Sequence, residues 1–374
     1  MAGLLAGAPA PGAPPADPDW HIPPPDTAPS LQPDAQRLAA ALEAHEQIAA
    51  TGGWPVLPVD LDLAPGGRDA RVVTLRDRLR RSGDLEGASG TADAWFFDAG
   101  LMEGLKRFQT RHGLPPSGRL DARTLAALNV PVEERMAQLR ATLLRWSWLP
   151  TDFGVRYLLA NVPGGTLTLV EAGEPTLTMR IIAGHPDRPT PSFRDTITAV
   201  VVDPPWSVPH RIAVEDLLPY QREDPGYLGR LHMRVLDRTG RELDARTIDW
   251  NRHAGENFPY FLRQDPGPHN GLGRFKFASD NPWYIYLHDS PSRRLFDLNS
   301  RTLSSGCLRV EKAQELAERL TGTPIGGPQA PPVTRRIPLP EPIPLWVVYL
   351  TSWVTPDGVV HFRPDVYGRD ARLR

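Results

Sequence analysis

Two residues whose side chains can together carry out thiol chemistry are His288 and Cys307. Cys307 is the only cysteine among the 374 residues, and it lies in the segment Ser-Ser-Gly-Cys-Leu-Arg at positions 304–309. A thiol becomes a strong nucleophile when a base within hydrogen-bond reach takes its proton, and a histidine can be that base. The pair therefore predicts nucleophilic catalysis by Cys307 with His288 as the general base.

The elements around these two residues are predicted to hold them in place. Residues 283–288 alternate between the two faces of a strand, which puts Tyr286 and His288 on the same side at its end. The apolar spacing from Val310 to Leu320 predicts an amphipathic helix. Cys307 would then lie in a turn just before a helix N-terminus, where the helix dipole favours the thiolate.

The residues around Cys307 argue against a packing role, which is the commonest role of a lone cysteine. A lone cysteine is most often a small buried apolar residue, and a lone histidine usually has an ordinary structural hydrogen bond. Two serines make a poor core segment, however, and Gly306 lets the backbone approach a substrate closely or adopt an unusual dihedral angle. A reactive thiol explains this combination better than a packing role does.

The segment from residue 283 to residue 320 resembles the catalytic signature of the L,D-transpeptidases, which share the YkuD fold. That signature is a His, a spacer, and then Ser/Thr-His-Gly-Cys followed by an apolar residue and Asn or Arg. This chain has Ser305 where many members carry the second His, and Arg309 at the last position. The SSGC version is associated with the large, YcbB-like branch, and the resemblance runs from about Val72 to the C-terminus.

The resemblance implies a two-step acyl transfer. Cys307 would attack the carbonyl of the third residue of a tetrapeptide stem, and His288 would pass the thiol proton to the departing D-alanine. Backbone N–H groups of Cys307 and of Gly306 or Ser305 would hold the oxyanion. The backbone carbonyl of Asp289 would orient His288, although its carboxylate could do so instead. The amine of a second stem would then attack the thioester and form a 3-3 cross-link.

Three further residues are candidates for substrate binding. The guanidinium fork of Arg309 suits a carboxylate of the substrate, and an ordinary ion pair is the alternative. Tyr286 shares the face of His288, and Ser304 lies in the catalytic segment. Both are expected to contact the stem peptide.

Two other functions remain open at this point. Water could take the acyl group, which would make the protein an L,D-carboxypeptidase or endopeptidase. The fold could instead be an inactive, wall-binding scaffold. A hydrolase would release trimmed stem peptides, whereas a transpeptidase would produce cross-linked dimers. A reactive thiol would argue against the inactive scaffold.

Composition and motifs exclude several classes. A net charge of -2 argues against general nucleic-acid binding. One cysteine rules out an internal disulfide and a multi-cysteine zinc site. No HExxH or dinucleotide-binding motif is present, so no metal or cofactor is predicted. No apolar stretch reaches the roughly 18 residues of a membrane span, and residues 1–16 are at best a degraded secretion signal.

The family resemblance implies a setting for this chemistry. It places the protein in the periplasm or cell envelope, with a part in wall biogenesis and cell shape. Its partners would be peptidoglycan stem peptides and glycan, and carbapenem-type inhibitors would acylate the thiol.

The chain is predicted to be an α+β multidomain protein with a mainly-β YkuD-like catalytic domain and a small three-helix domain. Residues 72–130 resemble the peptidoglycan-binding type 1 module through Phe108-Gln109, His112-Gly113-Leu114, Gly118 and Thr124-Leu125. Successive hairpins with period-2 alternation predict the β domain. The predicted boundaries are a disordered Pro-rich leader (1–33), an N-terminal helical segment (34–71), the module (72–130), a linking helix (131–154), the catalytic domain (155–322) with a lid at about 207–260, a Pro-rich connector (323–344) and a C-terminal hairpin (345–374) docked on the catalytic domain.

Overall fold

The computed structural model describes residues 17–23, 33–58, 63–86, 93–252, 255–329 and 331–373. The chain folds as two compact units, one made of residues up to 153 together with those from 348 onward, and the other of residues 154–347. The first is called the helical unit here and the second the barrel unit.

The α-helices are α1 Pro33–Ala50, α2 Val72–Arg81, α3 Ala99–Arg111, α4 Ala122–Leu128, α5 Val132–Ser147, α6 His210–Ile212, α7 Leu218–Glu223, α8 Tyr227–Arg230 and α9 Ala313–Thr321. The strands are β1 Trp20–His21, β2 Arg156–Asn161, β3 Thr166–Glu171, β4 Glu174–Gly184, β5 Ser192–Val202, β6 Trp206–Ser207, β7 Met233–Leu236, β8 Glu242–Leu243, β9 Phe261–Gln264, β10 Phe275–Ala278, β11 Leu287–His288, β12 Thr302–Ser304, β13 Leu308–Val310, β14 Arg335–Val348, β15 Ser352–Val354 and β16 Val360–Phe362. One π-helical turn spans Ala213–Leu217, and short 3-10 turns span Ala245–Thr247, Trp250–Arg252, Gly255–Asn257, Arg293–Asp297 and Ala371–Leu373.

Helices α2, α3 and α4 enclose the apolar core of the helical unit. Asp98 caps α3 by accepting from the N–H of Leu101, and Asp121 caps α4 by accepting from the N–H of Thr124. The buried residues of this core are Leu57, Leu63, Val72, Leu75, Leu79, Leu85, Phe97, Leu101, Leu105, Phe108, Leu120, Leu125 and Leu128. The three predicted helices are therefore present and pack on one another.

The motif residues of the module hold its own fold together. The amide of Gln109 is fully buried; it donates to the carbonyl of Arg119 at 2.8 Å and to the hydroxyl of Thr124 at 3.1 Å. Its oxygen accepts from the N–H of Gly118 at 2.9 Å. Gly118 has a φ of +67°, and a Cβ there would meet the side chain of Met102 at 2.6 Å. The Gln-Gly-Thr pattern thus has a structural reason within the module.

Two predictions about the chain ends differ from the structure. Most of the predicted leader, residues 1–16 and 24–32, lies outside the described residues. Residues 17–23 are packed rather than disordered, because Trp20 is buried edge-on against Trp148 with ring centroids 5.2 Å apart. A single aromatic anchor is enough to fix a short segment between Pro-rich stretches.

The C-terminal hairpin of β15 and β16 belongs to the helical unit, so the prediction that it docks on the catalytic domain is wrong. Its Val354 and Phe362 side chains join a buried cluster with Leu38 and Leu42 of α1 and Leu139 of α5. The apolar stripes of α1 and α5 provide the surface that the hairpin covers.

The barrel unit is organised by a closed sheet. Its strands follow the order β5-β10-β11-β13-β4-β3-β2-β14, and β14 also pairs with β5, so the sheet returns to its starting strand. Most neighbours are antiparallel, but β11 and β13 are parallel. Fully buried residues such as Phe193, Ile197, Phe277 and Leu308 fill the core. Closure removes the exposed sheet edges that could pair with another chain.

The Pro-rich connector predicted for residues 323–344 contains the first part of β14. This strand begins at Arg335 and pairs with β5, with a register shift between Pro338 and Ile343. Proline cannot donate to a sheet ladder, so prolines in strands occur at edges or at bulges. The irregular register accommodates them here.

Residues 206–264 form a compact insertion between β5 and β10. Strands β6, β9, β7 and β8 make a separate four-stranded sheet in that order. Its buried residues are Ala213, Leu217, Leu218, Leu228, Met233, Val235, Trp250, Phe258 and Leu262. The predicted lid at about 207–260 is thus not a structureless loop, because its scattered apolar residues converge on a core of their own.

Candidate active site

The loop that carries Cys307 is fixed by hydrogen bonds within itself and to its neighbours. The hydroxyl of Ser304 donates to the carbonyl of Cys307 at 2.6 Å and accepts from the N–H of Gly306 at 3.1 Å. The hydroxyl of Thr190 donates to the carbonyl of Gly306 at 2.7 Å. Gly306 has a φ of +111°, a conformation that L-residues with a side chain rarely adopt. The sequence therefore needs glycine before the cysteine for backbone reasons.

A second glycine packs directly beneath this loop. A Cβ on Gly184 would lie 2.2 Å from the carbonyl oxygen of Arg188 and 3.1 Å from the Cα of Gly306. Only glycine allows strand β4 and the segment around residue 188 to approach the catalytic loop so closely. This close packing supports the Cys307 loop on the side of strand β4.

Two predicted roles in this loop change with the structure. Ser304 is buried, with both roles of its hydroxyl used inside the turn, so it is not open to a substrate. The N–H of Gly306 is likewise occupied by Ser304 and is not a free oxyanion donor. No acceptor among the described residues takes the N–H of Cys307, which remains available for that role.

Cys307 is followed by a strand and not by a helix. Strand β13 begins at Leu308, and helix α9 begins only at Ala313. The predicted stabilisation of the thiolate by a helix N-terminus is therefore wrong. The apolar residues Leu308 and Val310 alternate as strand residues, and the helical spacing seen in the sequence starts further along the chain.

His288 lies beside the catalytic loop because of strand pairing. In the parallel pair β11–β13, Leu287 is opposite Leu308 and His288 is opposite Arg309. The N–H of Leu308 donates to the carbonyl of Tyr286 at 2.9 Å. Residues directly opposite each other in a ladder project from the same face of the sheet. His288 is therefore two residues removed from Cys307 in register and fixed to the strand that follows it.

The strand that ends at His288 is shorter than its alternation predicts. Strand β11 contains only Leu287 and His288, and Tyr284 has a φ of +54°. The side chain of Asn281 donates to the carbonyl of Ile285 at 2.8 Å and accepts from its N–H at 3.2 Å. These bonds turn the chain at Tyr284 and leave its side chain exposed. The alternation was correct for the last residues only.

The backbone carbonyl of Asp289 orients the imidazole. His288 Nδ1 lies 2.6 Å from that carbonyl oxygen. The carboxylate of Asp289 accepts instead from the N–H of Arg274 at 2.9 Å and from the guanidinium of Arg293 at 3.2 Å. Of the two arrangements left open by the sequence, the structure forms the one that uses the carbonyl and turns the carboxylate to other partners.

Burial is the main reason that both reactive groups are neutral. Burial lowers the pKa of His288 to about 4, and the charge of Arg309 contributes in the same direction. Burial also raises the pKa of the Cys307 thiol, while the charges of Lys276 and Arg309 oppose that shift. Near pH 7 the site thus contains a thiol and a neutral imidazole rather than an ion pair.

The thiol contacts a carbonyl group in this structure. The Cys307 thiol donates to the carbonyl oxygen of Tyr284, at 3.8 Å, and a hydrogen bond with the backbone of Tyr286 acts to lower the pKa of the thiol. The imidazole of His288 is not its partner. Catalytic hydrogen bonds are often long or poorly aligned before substrate binds, so this geometry does not exclude His288 as the base.

Ser305 links the catalytic loop to the insertion. Its hydroxyl accepts from Arg188 Nη1 at 3.0 Å. The same guanidinium is paired with Asp216 at 2.5 Å and with Glu215 at 2.8 Å, both in the π-helical turn of the insertion. The insertion is therefore connected to the residue two positions before the cysteine.

Lys276 lies next to His288 and was not predicted as a site residue. It lies on β10 opposite His288 in register, and its ammonium is 3.7 Å from the centroid of the Tyr286 ring. Tyr286, predicted to bind substrate, thus supports a cation on the active-site face. The alternation Phe275-Lys276-Phe277, with both phenylalanines in the core, was the signal that could have found it.

Arg309 also reaches this face without an ion-pair partner. Its Nε is buried and has no hydrogen-bond partner among the described residues, and no described carboxylate pairs with its guanidinium. Burial lowers the pKa of Arg309, and the Cys307 thiolate opposes that shift. The ion pair that the sequence left open as an alternative is not formed within the described chain.

Comparisons with known proteins agree with the geometry. Residues 155–333 match the family model described as YkuD: L,D-transpeptidase catalytic domain. This part of the chain matches the YkuD catalytic domain. Residues 68–128 match the model described as "Putative peptidoglycan binding domain", which overlaps the predicted module. The two matches agree with the predicted order of a helical module followed by a β domain, while the place of the chain in the YcbB-like branch stays a prediction.

One curated relative and two solved structures illustrate the match. A Haemophilus influenzae protein named "Putative L,D-transpeptidase" is 36% identical over 222 residues, which cover 58% of this chain and 45% of that protein. The chain thus spans less than half of this relative's length. The L,D-transpeptidase of Xylanimonas cellulosilytica (residues 123–326) is 12% identical, covers 78% of this chain and 99% of that one, and has a TM-score of 0.26. An L,D-transpeptidase in complex with imipenem is 16% identical, covers 52% and 59%, and has a TM-score of 0.24. TM-scores this low add nothing to the family match.

Within the described ranges, no cluster of three or more His, Cys, Asp or Glu side chains is placed to hold a metal ion. Among the helices that the structure describes, none combines the length and apolar character needed to cross a bilayer.

Proposed function

We propose that this protein is a cysteine-dependent L,D-transpeptidase that forms 3-3 cross-links in peptidoglycan. The observation that carries the proposal is the β11–β13 pairing, which fixes His288 beside the Cys307 loop while Nδ1 is held by a backbone carbonyl. This bond orients the ring, the backbone of Leu272 is a second hydrogen-bond partner of the imidazole, and we assign Nε2 as the nitrogen that exchanges protons with the thiol. The family match over the barrel unit is consistent with it.

The first half-reaction makes a thioester and releases D-alanine. His288 Nε2 takes the proton of the Cys307 thiol as Sγ attacks the carbonyl carbon of the third stem residue. The N–H of Cys307 stabilises the resulting oxyanion, and the N–H of Ser305 is the second candidate donor because that of Gly306 is occupied. When the C–N bond breaks, the imidazolium gives its proton to the amine of the departing D-alanine.

The second half-reaction forms the cross-link. The side-chain amine of a diamino acid in another stem attacks the thioester carbonyl, and His288 takes a proton from that amine. The C–S bond then breaks, and the proton returns to the sulfur of Cys307. Water in place of the amine would give a carboxypeptidase, so access of water to the thioester decides between the two activities.

The setting of the reaction follows from the same proposal. The substrate lies in the cell wall, so we expect a periplasmic or other envelope location and a contribution to wall biogenesis and cell shape. The helical module would hold the protein near the glycan. Carbapenems would acylate Cys307 because their strained amide offers the thiol the same kind of carbonyl.

The test is product analysis on a defined tetrapeptide stem. The protein and its Cys307→Ala variant are incubated with the stem, and the products are identified by mass spectrometry. We expect cross-linked dimer and free D-alanine with the native protein and neither with the variant. Trimmed tripeptide alone would make the protein a hydrolase, dimer from the variant would remove Cys307 from the mechanism, and the absence of any product would favour a scaffold.

A further inference from the structure

Three polar side chains form a row across neighbouring strands of the barrel. Lys276 is opposite His288 in the β10–β11 pair, and His288 is opposite Arg309 in the β11–β13 pair. Strands lie about 4.8 Å apart and directly opposed residues share a face. Lys276 and Arg309 are therefore the two immediate cross-strand neighbours of the catalytic imidazole, one on each side.

The position of Lys276 is determined by its core-facing neighbours. Phe275 and Phe277 are buried inside the barrel, so the residue between them must project from the opposite face. There its ammonium lies over the ring of Tyr286, 3.7 Å from the centroid. The aromatic face fixes the cation without neutralising it.

Neither cation of the row is neutralised by the described chain. No described carboxylate pairs with Lys276 or Arg309, and Arg309 Nε is buried without a hydrogen-bond partner. The carboxylate of Asp195 accepts from the amide of Asn281 at 2.8 Å, and that of Asp289 accepts from the N–H of Arg274. Two partly buried cations without a counter-ion carry a desolvation free energy that is not offset. An anionic ligand that pairs with them offsets it.

The chemistry of the proposed reaction supplies such an anion at this place. His288 must protonate the nitrogen of the leaving D-alanine, and the carboxylate of that residue is two bonds away from the nitrogen. Any donor placed for this proton transfer brings its C-terminal carboxylate next to the neighbours of His288. A Lys ammonium and an Arg fork are the side chains best suited to receive it.

We infer that Lys276 is a substrate-binding residue which, together with Arg309, holds the C-terminal carboxylate of the donor stem. The inference rests on the proposed function and adds a reason for specificity. A stem that ends in D-alanine presents its carboxylate to the two cations, whereas a stem extended by one residue or amidated at its C-terminus does not. Lys276 would thus select the tetrapeptide as donor.

The first arm of the test uses only the thiol. Cys307 is the sole cysteine, so the rates of its alkylation by iodoacetate and by neutral iodoacetamide report on one site. We expect Lys276→Gln to lower the iodoacetate rate about tenfold relative to the iodoacetamide rate, since one nearby charge is removed. Lys276→Arg should preserve the ratio. Lys312→Gln is the matched control, because Lys312 donates to the carbonyl of Thr178 outside the row.

The second arm uses the donor. The native protein should prefer the tetrapeptide to its C-terminal amide, and Lys276→Gln should raise the KM for the tetrapeptide and abolish the preference, with a smaller effect on kcat. An equal slowing of both alkylating agents would mean that Lys276 acts on the thiolate and would overturn the inference. So would unchanged alkylation and donor preference in a variant that still makes product. A changed alkylation ratio without product from any donor would instead sustain the cation site and refute the transpeptidase.

Discussion

Two buried sites in the molecule treat positive charge differently. In the helical unit, Arg111 meets Asp84 through two parallel bonds, Nε–Oδ1 and Nη2–Oδ2, both 2.6 Å long. In the barrel unit, Lys276 and Arg309 flank His288 and meet no described carboxylate. The first arrangement satisfies its charges internally and stabilises the fold. The second leaves charge for a ligand, which is what a binding site requires.

The largest effect should come from the imidazole between the two unpaired cations. We expect His288→Ala to fold and to lower the rate of acylation by the tetrapeptide at pH 7 about 10²- to 10⁴-fold, because the general base is lost. Part of the rate should return as the pH rises toward the elevated pKa of the Cys307 thiol. Single-turnover acylation measured from pH 6 to pH 10 checks this. Equal rates for variant and native protein across that range would exclude His288 as the base.

A change at the buried Arg111–Asp84 pair should lower the stability of the fold and leave the chemistry at Cys307 unchanged. Asp84→Asn leaves the buried Arg111 without its counter-ion, and we expect a loss of about 3–5 kcal/mol in the free energy of unfolding of the helical unit. The matched control is Glu46→Gln, which removes the exposed partner of Arg140 and should cost less than about 1 kcal/mol. Chemical denaturation of the full chain measures both.

The rate of Cys307 alkylation shows whether Asp84→Asn also affects the active site. Under folding conditions, the iodoacetamide rate should be the same for Asp84→Asn and for the native protein. A destabilisation by Asp84→Asn no larger than that of the control would mean that the buried pair is not stabilising. A changed thiol rate in the folded variant would mean that the pair also acts on the active site.

The burial of His288 predicts a stability effect with a definite sign. Its pKa is about 4 in the folded chain and about 6.5 when unfolded. Between these values the unfolded state binds more protons, so the free energy of unfolding falls as the pH falls. Below pH 4, the decrease in the free energy of unfolding that is due to this histidine reaches about 3 kcal/mol.

Comparison with His288→Gln isolates that contribution from those of other buried histidines. The variant should lose less stability than the native protein between pH 6.5 and pH 4. Denaturant unfolding at several pH values in this range tests the difference. Parallel pH profiles for the two proteins would mean that His288 is not held neutral by the fold.

The insertion should have the smallest effect of these changes. The N–H of Val208 donates to the carbonyl of Leu262 at 2.9 Å, so the two ends of the insertion lie close together. A short Gly-Ser linker from Val208 to Phe261 can therefore replace residues 209–260. We propose that this insertion is a lid that keeps water from the thioester. Its removal should raise the ratio of hydrolysed to cross-linked product about tenfold, which corresponds to about 1.4 kcal/mol in the competing barriers.

The thermal unfolding of this deletion variant is its control. The insertion has a core of its own, so the barrel should unfold at a similar temperature without it. A folded variant with an unchanged product ratio would show that the insertion does not control water, and an unfolded one would show that it is part of the core.

The parts of the molecule predictable from sequence are those with a local signal. The period-2 runs located the hairpins, and the Gly-Cys dipeptide with the upstream histidine pointed to the loop and the strand that the β11–β13 pairing brings side by side. Gly306 is an example of a residue whose role was readable, since a positive φ was one of two reasons expected for it.

The features that the sequence did not reveal depend on contacts between distant segments. Lys276 becomes an active-site residue only through its register with His288. The hairpin carrying Phe362 was assigned to the wrong unit because alternation shows which face is apolar and not which surface covers it. The thiolate was expected at a helix N-terminus, but strand β13 intervenes before α9.

In the proposed reaction, Cys307 forms a covalent acyl intermediate. The most direct test is intact-protein mass spectrometry of the full chain with a carbapenem, followed by peptide mapping. We expect one added drug mass per chain, located on Cys307 and absent from Cys307→Ala. An adduct on another residue, or one that persists in the Ala variant, would contradict it.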